Sequence, residues 1–227
     1  MRFKAVIFDL DGTLLDSLPD IAETMNAVLE KLSFPPLPTT LYKQYVGEGL
    51  RELVKKALPP EVLPADPTKR DESLDRFVTL YREIYDRQWQ VHTRPYDGIS
   101  EMLDALAARE VKLGILSNKL DAFTRRMVET LLPDWRFDVV FGSRSGVPLK
   151  PDPFAPLEMA GMMSTRPEEI VFMGDSGIDM QTGVNAGMFP VGVLWGLREI
   201  DELRACGARQ LIAHPADLLP IVGSSIG

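Results

Sequence analysis

Asp9-Leu10-Asp11-Gly12-Thr13-Leu14 places two carboxylates one residue apart beside a turn-forming glycine. Acids that close repel each other and call for a cation or a shared proton. Magnesium is the expected cation, because carboxylate oxygens suit hard divalent ions and magnesium takes one or two of them together with water and substrate phosphate. An aspartate can also attack phosphorus and split a difficult hydrolysis into two easier displacements. The same hexapeptide fits a plain turn whose Asp and Gly serve backbone geometry. Alone it leaves both readings open.

Further polar groups lie along the chain, each of a kind that phosphoryl chemistry needs. Ser117-Asn118-Lys119 follows Leu116, where a hydroxyl and backbone N–H groups at a helix entrance would hold phosphate oxygens. An ordinary Ser/Asn helix cap would look the same. Lys150, ahead of Pro151, offers a fixed positive charge on a stiffened backbone. Met173-Gly174-Asp175-Ser176 and Asp179 supply acids after an apolar run, ready to complete a magnesium site with Asp9. Asp179 also fits a surface acid in the first turn of a helix.

The surrounding pattern predicts how these residues are positioned. Phe3-Lys4-Ala5-Val6-Ile7-Phe8 is almost continuously apolar, as a strand covered on both faces of a parallel sheet must be, and Asp9 follows it directly. From Ser17 to His92 the texture is helical. Pro19 suits a first turn, Ile21, Met25, Val28, Leu29 and Leu32 recur at helical spacing, and Pro35, Pro36 and Pro38 stop the helix. Two short helical stretches flank Gly47-Glu48-Gly49, and a later helix carries Leu74, Phe77, Val78, Tyr81 and Tyr85 on one stripe. From Arg94 onward strands and helices alternate, with strands expected at 111–116, 139–141, 170–173, 191–194 and 211–213. The expected architecture is an α/β domain of residues 1–16 and 93–227, interrupted by a helical domain of residues 17–92. The Gly223-Ser224-Ser225 tail reads as loose.

Composition narrows the function classes. The 227 residues are 45% hydrophobic and 26% charged, enough to bury a core. Twenty-five basic against 33 acidic residues give a net charge of −8, which argues against nucleic acid or an anionic membrane as partner but leaves a small anion open. Cys206 is the single cysteine, and His92 and His214 are the only imidazoles, so zinc sites and Cys/His nucleophile systems are poorly supplied. Met1 leads directly into the first strand with no apolar leader, so a cytoplasmic location is expected.

Taken in order, Asp9-Leu10-Asp11-Gly12-Thr13, Ser117-Asn118-Lys119, Lys150-Pro151 and Gly174-Asp175 with Asp179 resemble the motifs of haloacid dehalogenase superfamily phosphatases. Leu15-Asp16-Ser17, Tyr45-Val46-Gly47-Glu48-Gly49-Leu50 and Arg94-Pro95-Tyr96-Asp97-Gly98 are similar to phosphoglycolate phosphatases within that group. The resemblance implies a Rossmann-like parallel-sheet core with an inserted all-helical cap. It implies that Asp9 is nucleophile and metal ligand, and that Asp11 protonates the leaving alkoxide, activates water and offers its backbone carbonyl to the metal. Asp175 would be the remaining ligand, Asp179 would orient the metal shell, and Ser117, the Asn118 backbone and Lys150 would hold phosphoryl oxygens. The substrate would be a small phosphorylated metabolite, 2-phosphoglycolate first, with Gly47-Glu48-Gly49 touching its far end.

Rival readings remain. A β-phosphoglucomutase-like enzyme shares the core motifs, but its cap is expected to carry a basic sugar-recognising loop where Glu48 stands here, with Arg51 its nearest arginine. A phosphonate-cleaving relative needs a cap lysine in covalent catalysis, whereas Lys55 and Lys56 read as helix-surface charges. A signalling receiver domain also uses an acidic magnesium pocket, yet a helical insert after the first strand fits it badly. A non-catalytic phospho-acceptor on the same fold would be expected to lack Asp9 or Asp11. His92 and His214 read as hinge packing and a surface turn, Cys206 as packing, and Trp195 as an oligomer contact or a core edge.

Overall fold

The computed structural model describes residues 3–223, so Ser224 and Ser225 of the expected loose tail lie outside the described residues. The chain divides into two compact units, Asp16–Arg94 and the remainder.

The larger unit opens with β1 (Ala5–Phe8), buried at every position. Next in the chain come β2 (Leu15–Asp16) and the helices of the smaller unit, α1 (Leu18–Lys31), α2 (Thr39–Tyr42), α3 (Leu50–Ala57) and α4 (Pro67–Gln88). The chain returns through β3 (Arg94–Pro95), which pairs with β2 as a separate two-stranded ladder. Then follow α5 (Ile99–Ala107), β4 (Lys112–Leu120), α6 (Asp121–Leu131), β5 (Val139–Ser143), α7 (Phe154–Met162) and β6 (Ile170–Gly174). The chain ends with α8 (Gly177–Asn185), β7 (Phe189–Val193), α9 (Ile200–Ala205), β8 (Gln210–Ile212) and α10 (Leu218–Gly223).

Six strands form one parallel sheet in the order β5-β4-β1-β6-β7-β8. β1 is central, with Ile7 level with Gly114 on one side and Phe172 on the other. β4 and β5 are laid down on one side of it and β6, β7 and β8 on the other, and this reversal of strand order opens a crevice beyond the carboxyl ends of β1, β4 and β6. Ile7, Leu116, Phe141, Met159 and Phe172 belong to one buried cluster beneath that edge. This α/β sheet with surrounding helices is the expected fold class.

β4 departs from its expected extent. Local apolarity ends at Leu116, but the strand continues to Leu120, because pairing with β5 resumes at Leu120 opposite Ser143 after a register shift. Ser117, Asn118 and Lys119 therefore sit on a strand end rather than at a helix entrance, and α6 begins only at Asp121.

In the smaller unit α4 packs against α1 and α3, and Tyr81 stacks on Tyr85 at 5.6 Å. Asn26 reaches from α1 to the proline turn, accepting from Leu37 N at 2.9 Å and donating to Leu37 O at 3.0 Å. Asp20, buried in the first turns of α1, accepts from His92 N at 3.0 Å, Thr93 N at 2.8 Å and Thr93 Oγ1 at 2.6 Å. Removing that acceptor strands several donors away from water. Asp20→Ala is expected to cost about 2–4 kcal/mol, read as a lower urea midpoint of the full chain. An unchanged midpoint would show that the clasp contributes nothing net. Among the described residues no helix is long and apolar enough to cross a membrane.

Candidate active site

Asp9 extends β1 by one residue, its N–H donating to Met173 O at 2.9 Å, so its side chain is fixed at the carboxyl edge of the sheet. Its Oδ1 lies 2.7 Å from Lys150 Nζ, and the same Nζ is 2.7 Å from Asp179 Oδ1. Asp175, directly after β6, accepts from Thr13 Oγ1 at 3.1 Å through Oδ1 and from Leu197 N at 2.8 Å through Oδ2. Oxygen atoms of Asp9, Asp175 and Asp179 all lie within 4.8 Å of one another.

Local devices hold each member in place. Ser176 caps α8, and its N–H and Oγ both donate to Asp179 Oδ2, at 3.0 and 2.6 Å, in a capping box. Asp179 thus spends one oxygen on the helix start and the other on Lys150, and it is fully buried rather than a surface acid. Lys150 is held by its own backbone. Asn118 Oδ1 accepts from Lys150 N at 2.9 Å while Asn118 Nδ2 donates to Lys150 O at 3.1 Å, so the amide side chain acts as a strand partner.

Burial raises the Asp9 carboxyl well above its usual range; Lys150 opposes that, and Asp179 and Asp175 add to it. Burial likewise lifts Asp175 to about 7, Asp179 pushes the same way, and the Leu197 and Thr13 hydrogen bonds hold it back. Burial alone would lower Lys150, but Asp179 and Asp9 outweigh it and carry the ammonium above its ordinary value. A single ammonium among three buried acids leaves an excess of negative charge. A hard divalent cation fits such a set of oxygens better than a transition metal would. Asp9, Asp175 and Asp179 are the side chains that could hold such an ion.

Asp11 turns to a different cation. Lys119 Nζ lies 3.1 Å from both of its oxygens, and both side chains are 10% exposed. Ser117 Oγ accepts from Lys119 N at 3.1 Å, so the hydroxyl hydrogen is the one left to donate elsewhere. Thus Asp9, Lys150, Asp175 and Asp179 form one cluster, while Asp11 is joined to the Ser117 strand end through Lys119. Gly47, Glu48 and Gly49 belong to the smaller unit, where Glu48 pairs with Lys56 at 2.7 Å.

In the segment after β7 the sequence reading singled out Trp195 alone, yet the segment touches this cluster at several points. Besides the Leu197 bond to Asp175, Trp195 Nε1 donates to Thr13 O at 3.0 Å, which makes the indole a tether to the first motif. A Cβ on Gly196 would lie 2.2 Å from the Asp175 Cβ. At Gly12 the backbone has φ +89°, and a Cβ there would meet Asp175 Oδ2 at 2.4 Å. These glycines let the turn, the acid and the loop close on each other. The available signal was positional: loops after parallel strands gather at the carboxyl edge.

A family model described as haloacid dehalogenase-like hydrolase matches residues 6–193. A phosphoglycolate phosphatase of Nitrosospira multiformis is 36% identical over 88% of this chain and 86% of its own. An N-acetylmuramic acid 6-phosphate phosphatase of Pseudomonas aeruginosa is 31% identical over 100% of this chain and 97% of its own. A crystal structure from Lactobacillus delbrueckii subsp. bulgaricus, whose name proposes a phosphoglycolate phosphatase, superposes with a TM-score of 0.89 at 28% identity, covering 98% of this chain and 99% of that one.

Proposed function

The chain belongs to the haloacid dehalogenase-like hydrolases, and from that membership we propose that it is a magnesium-dependent phosphomonoesterase for a small phosphorylated metabolite, 2-phosphoglycolate first. The observation that carries the proposal is the convergence of Asp9, Asp175 and Asp179 at the carboxyl edge of the central strand, with Lys150 bridging Asp9 and Asp179.

The Asp9 carboxylate attacks phosphorus. The bond from phosphorus to the ester oxygen breaks, and that oxygen leaves with a proton from Asp11. Asp11, now a carboxylate, takes a proton from water as the water oxygen attacks the aspartyl-phosphate; the bond to Asp9 breaks and inorganic phosphate departs. Ser117 Oγ–H, the Asn118 N–H and Lys150 hold the phosphoryl oxygens, where fixed donors and charge favour the in-line transition state. Magnesium, held by Asp9, Asp175 and the Asp11 carbonyl, supplies charge neutralisation at the phosphoryl group when bound.

The helical unit Asp16–Arg94 is the inserted cap in this reading, and positive φ at Gly47 and Gly49 lets the chain turn tightly on both sides of Glu48. Neither nucleic acid nor membrane is a partner, and the reaction takes place in the cytoplasm, where a lone Cys206 stays reduced.

The test is magnesium-dependent phosphate release from 2-phosphoglycolate, N-acetylmuramic acid 6-phosphate and β-glucose 1-phosphate. Strongest release from 2-phosphoglycolate, lost with EDTA, is the expected result. Preference for the amino-sugar phosphate would replace the substrate. Isomerisation of the glucose ester without release would make the protein a mutase.

A further inference from the structure

Lys119 performs two tasks from one position on β4. Its N–H fixes the Ser117 hydroxyl, and its ammonium spans both oxygens of Asp11 at 3.1 Å. An ammonium 3.1 Å from both oxygens of a carboxylate limits where that group can move and offsets its charge, and the pair is largely shielded from water.

We propose that Lys119 is a positioning residue that holds the Asp11 carboxylate for the second half of the reaction, in which Asp11 takes the proton of the attacking water. The inference rests on the role given to Asp11 above. The first half leaves Asp11 ionised, and the ionised group is the one that Lys119 grips. In the second half the water oxygen bonds to phosphorus, the Asp9 oxygen leaves with its electron pair, and the water proton goes to Asp11. Lys119 gives up no proton throughout. A misplacement of about 1 Å in a group of this kind lowers rate by about a hundredfold.

Lys119→Met in the full chain, assayed with magnesium and p-nitrophenyl phosphate, isolates that half-reaction, because kcat/KM counts only the steps through departure of nitrophenol. The expected result is a fall in kcat of about ten- to a hundredfold with a parallel fall in KM, leaving kcat/KM within about twofold. A burst of nitrophenol should precede the slow turnover, and Lys119→Arg should restore most of the rate. A merely structural loss would shrink burst and turnover together. A drop in kcat/KM equal to the drop in kcat, or no change in either, would overturn the proposal. If Lys119→Met does not fold, Lys119→Gln carries the same comparison. A wild-type chain that releases no nitrophenol would refute the phosphatase reading instead, which keeps the two failures distinct.

Discussion

Asp9→Asn is expected to lower magnesium-dependent phosphate release by about 10⁴-fold or more, since a neutral amide cannot form the phosphoenzyme and the remaining machinery acts only around that step. Asparagine keeps the size and one acceptor oxygen of the original. Lys150 keeps its partner Asp179, 2.7 Å away, so the ammonium is not left buried and unpaired. The fold should therefore survive, with a melting temperature near that of the parent chain. Phosphate release and thermal unfolding on the same preparation provide the check. Activity retained above about one tenth of the parent level would remove Asp9 from the role of nucleophile.

Magnesium should stabilise the protein strongly at alkaline pH and weakly in acid. Asp175 ordinarily titrates near 3.8 and is lifted to about 7 in the folded chain. Between those values the folded state binds the proton that the unfolded state has released, so this group makes stability fall as pH rises, with no further change above about 7. Asp9, also raised, acts in the same sense. A cation bound by these oxygens must displace the protons in the lower range and finds the acids already ionised in the upper. With magnesium at about a hundred times its Kd the expected gain is about 5–10 °C near pH 8, shrinking steadily toward pH 5.5. Thermal unfolding with magnesium against EDTA across that range tests it, since groups remote from the site cancel in the difference. A gain independent of pH would place the metal elsewhere, and no gain would show that the folded chain does not bind it.

The sheet was legible because its strands are buried on both faces. Ala5–Phe8 and Ile170–Gly174 are buried throughout, and such runs end in the sequence where the polar edge begins. Asp9 and Asp175 could therefore be placed at strand ends without coordinates. The extent of β4 was not legible, because Ser117 to Leu120 belong to it through pairing with Ser143, a contact that no local pattern encodes. The segment after β7 was hidden for another reason. Leu197 acts through its backbone N–H and Gly196 by lacking a side chain, and neither property stands out in a sequence. Trp195 was noticed as an oligomer contact or a core edge, but its indole bond to the Thr13 carbonyl within the same unit has no local signature. Lys119 stood inside a recognised motif, but its grip on Asp11 depends on two strands lying side by side.

The central place of β1 also shapes how the chain is made. Ala5–Phe8 pairs with β4, beginning at Lys112, and with β6, beginning at Ile170. At synthesis rates of about 5–20 residues per second, the first strand leaves the ribosome roughly ten to thirty seconds before its last neighbour exists. The helical unit of residues 16–94 emerges whole during that interval and satisfies its own contacts. Asp9 is thus translated long before Asp175 and Asp179, which complete its cluster, and a nascent chain halted before Ile170 carries an apolar strand that still lacks one of its two partners.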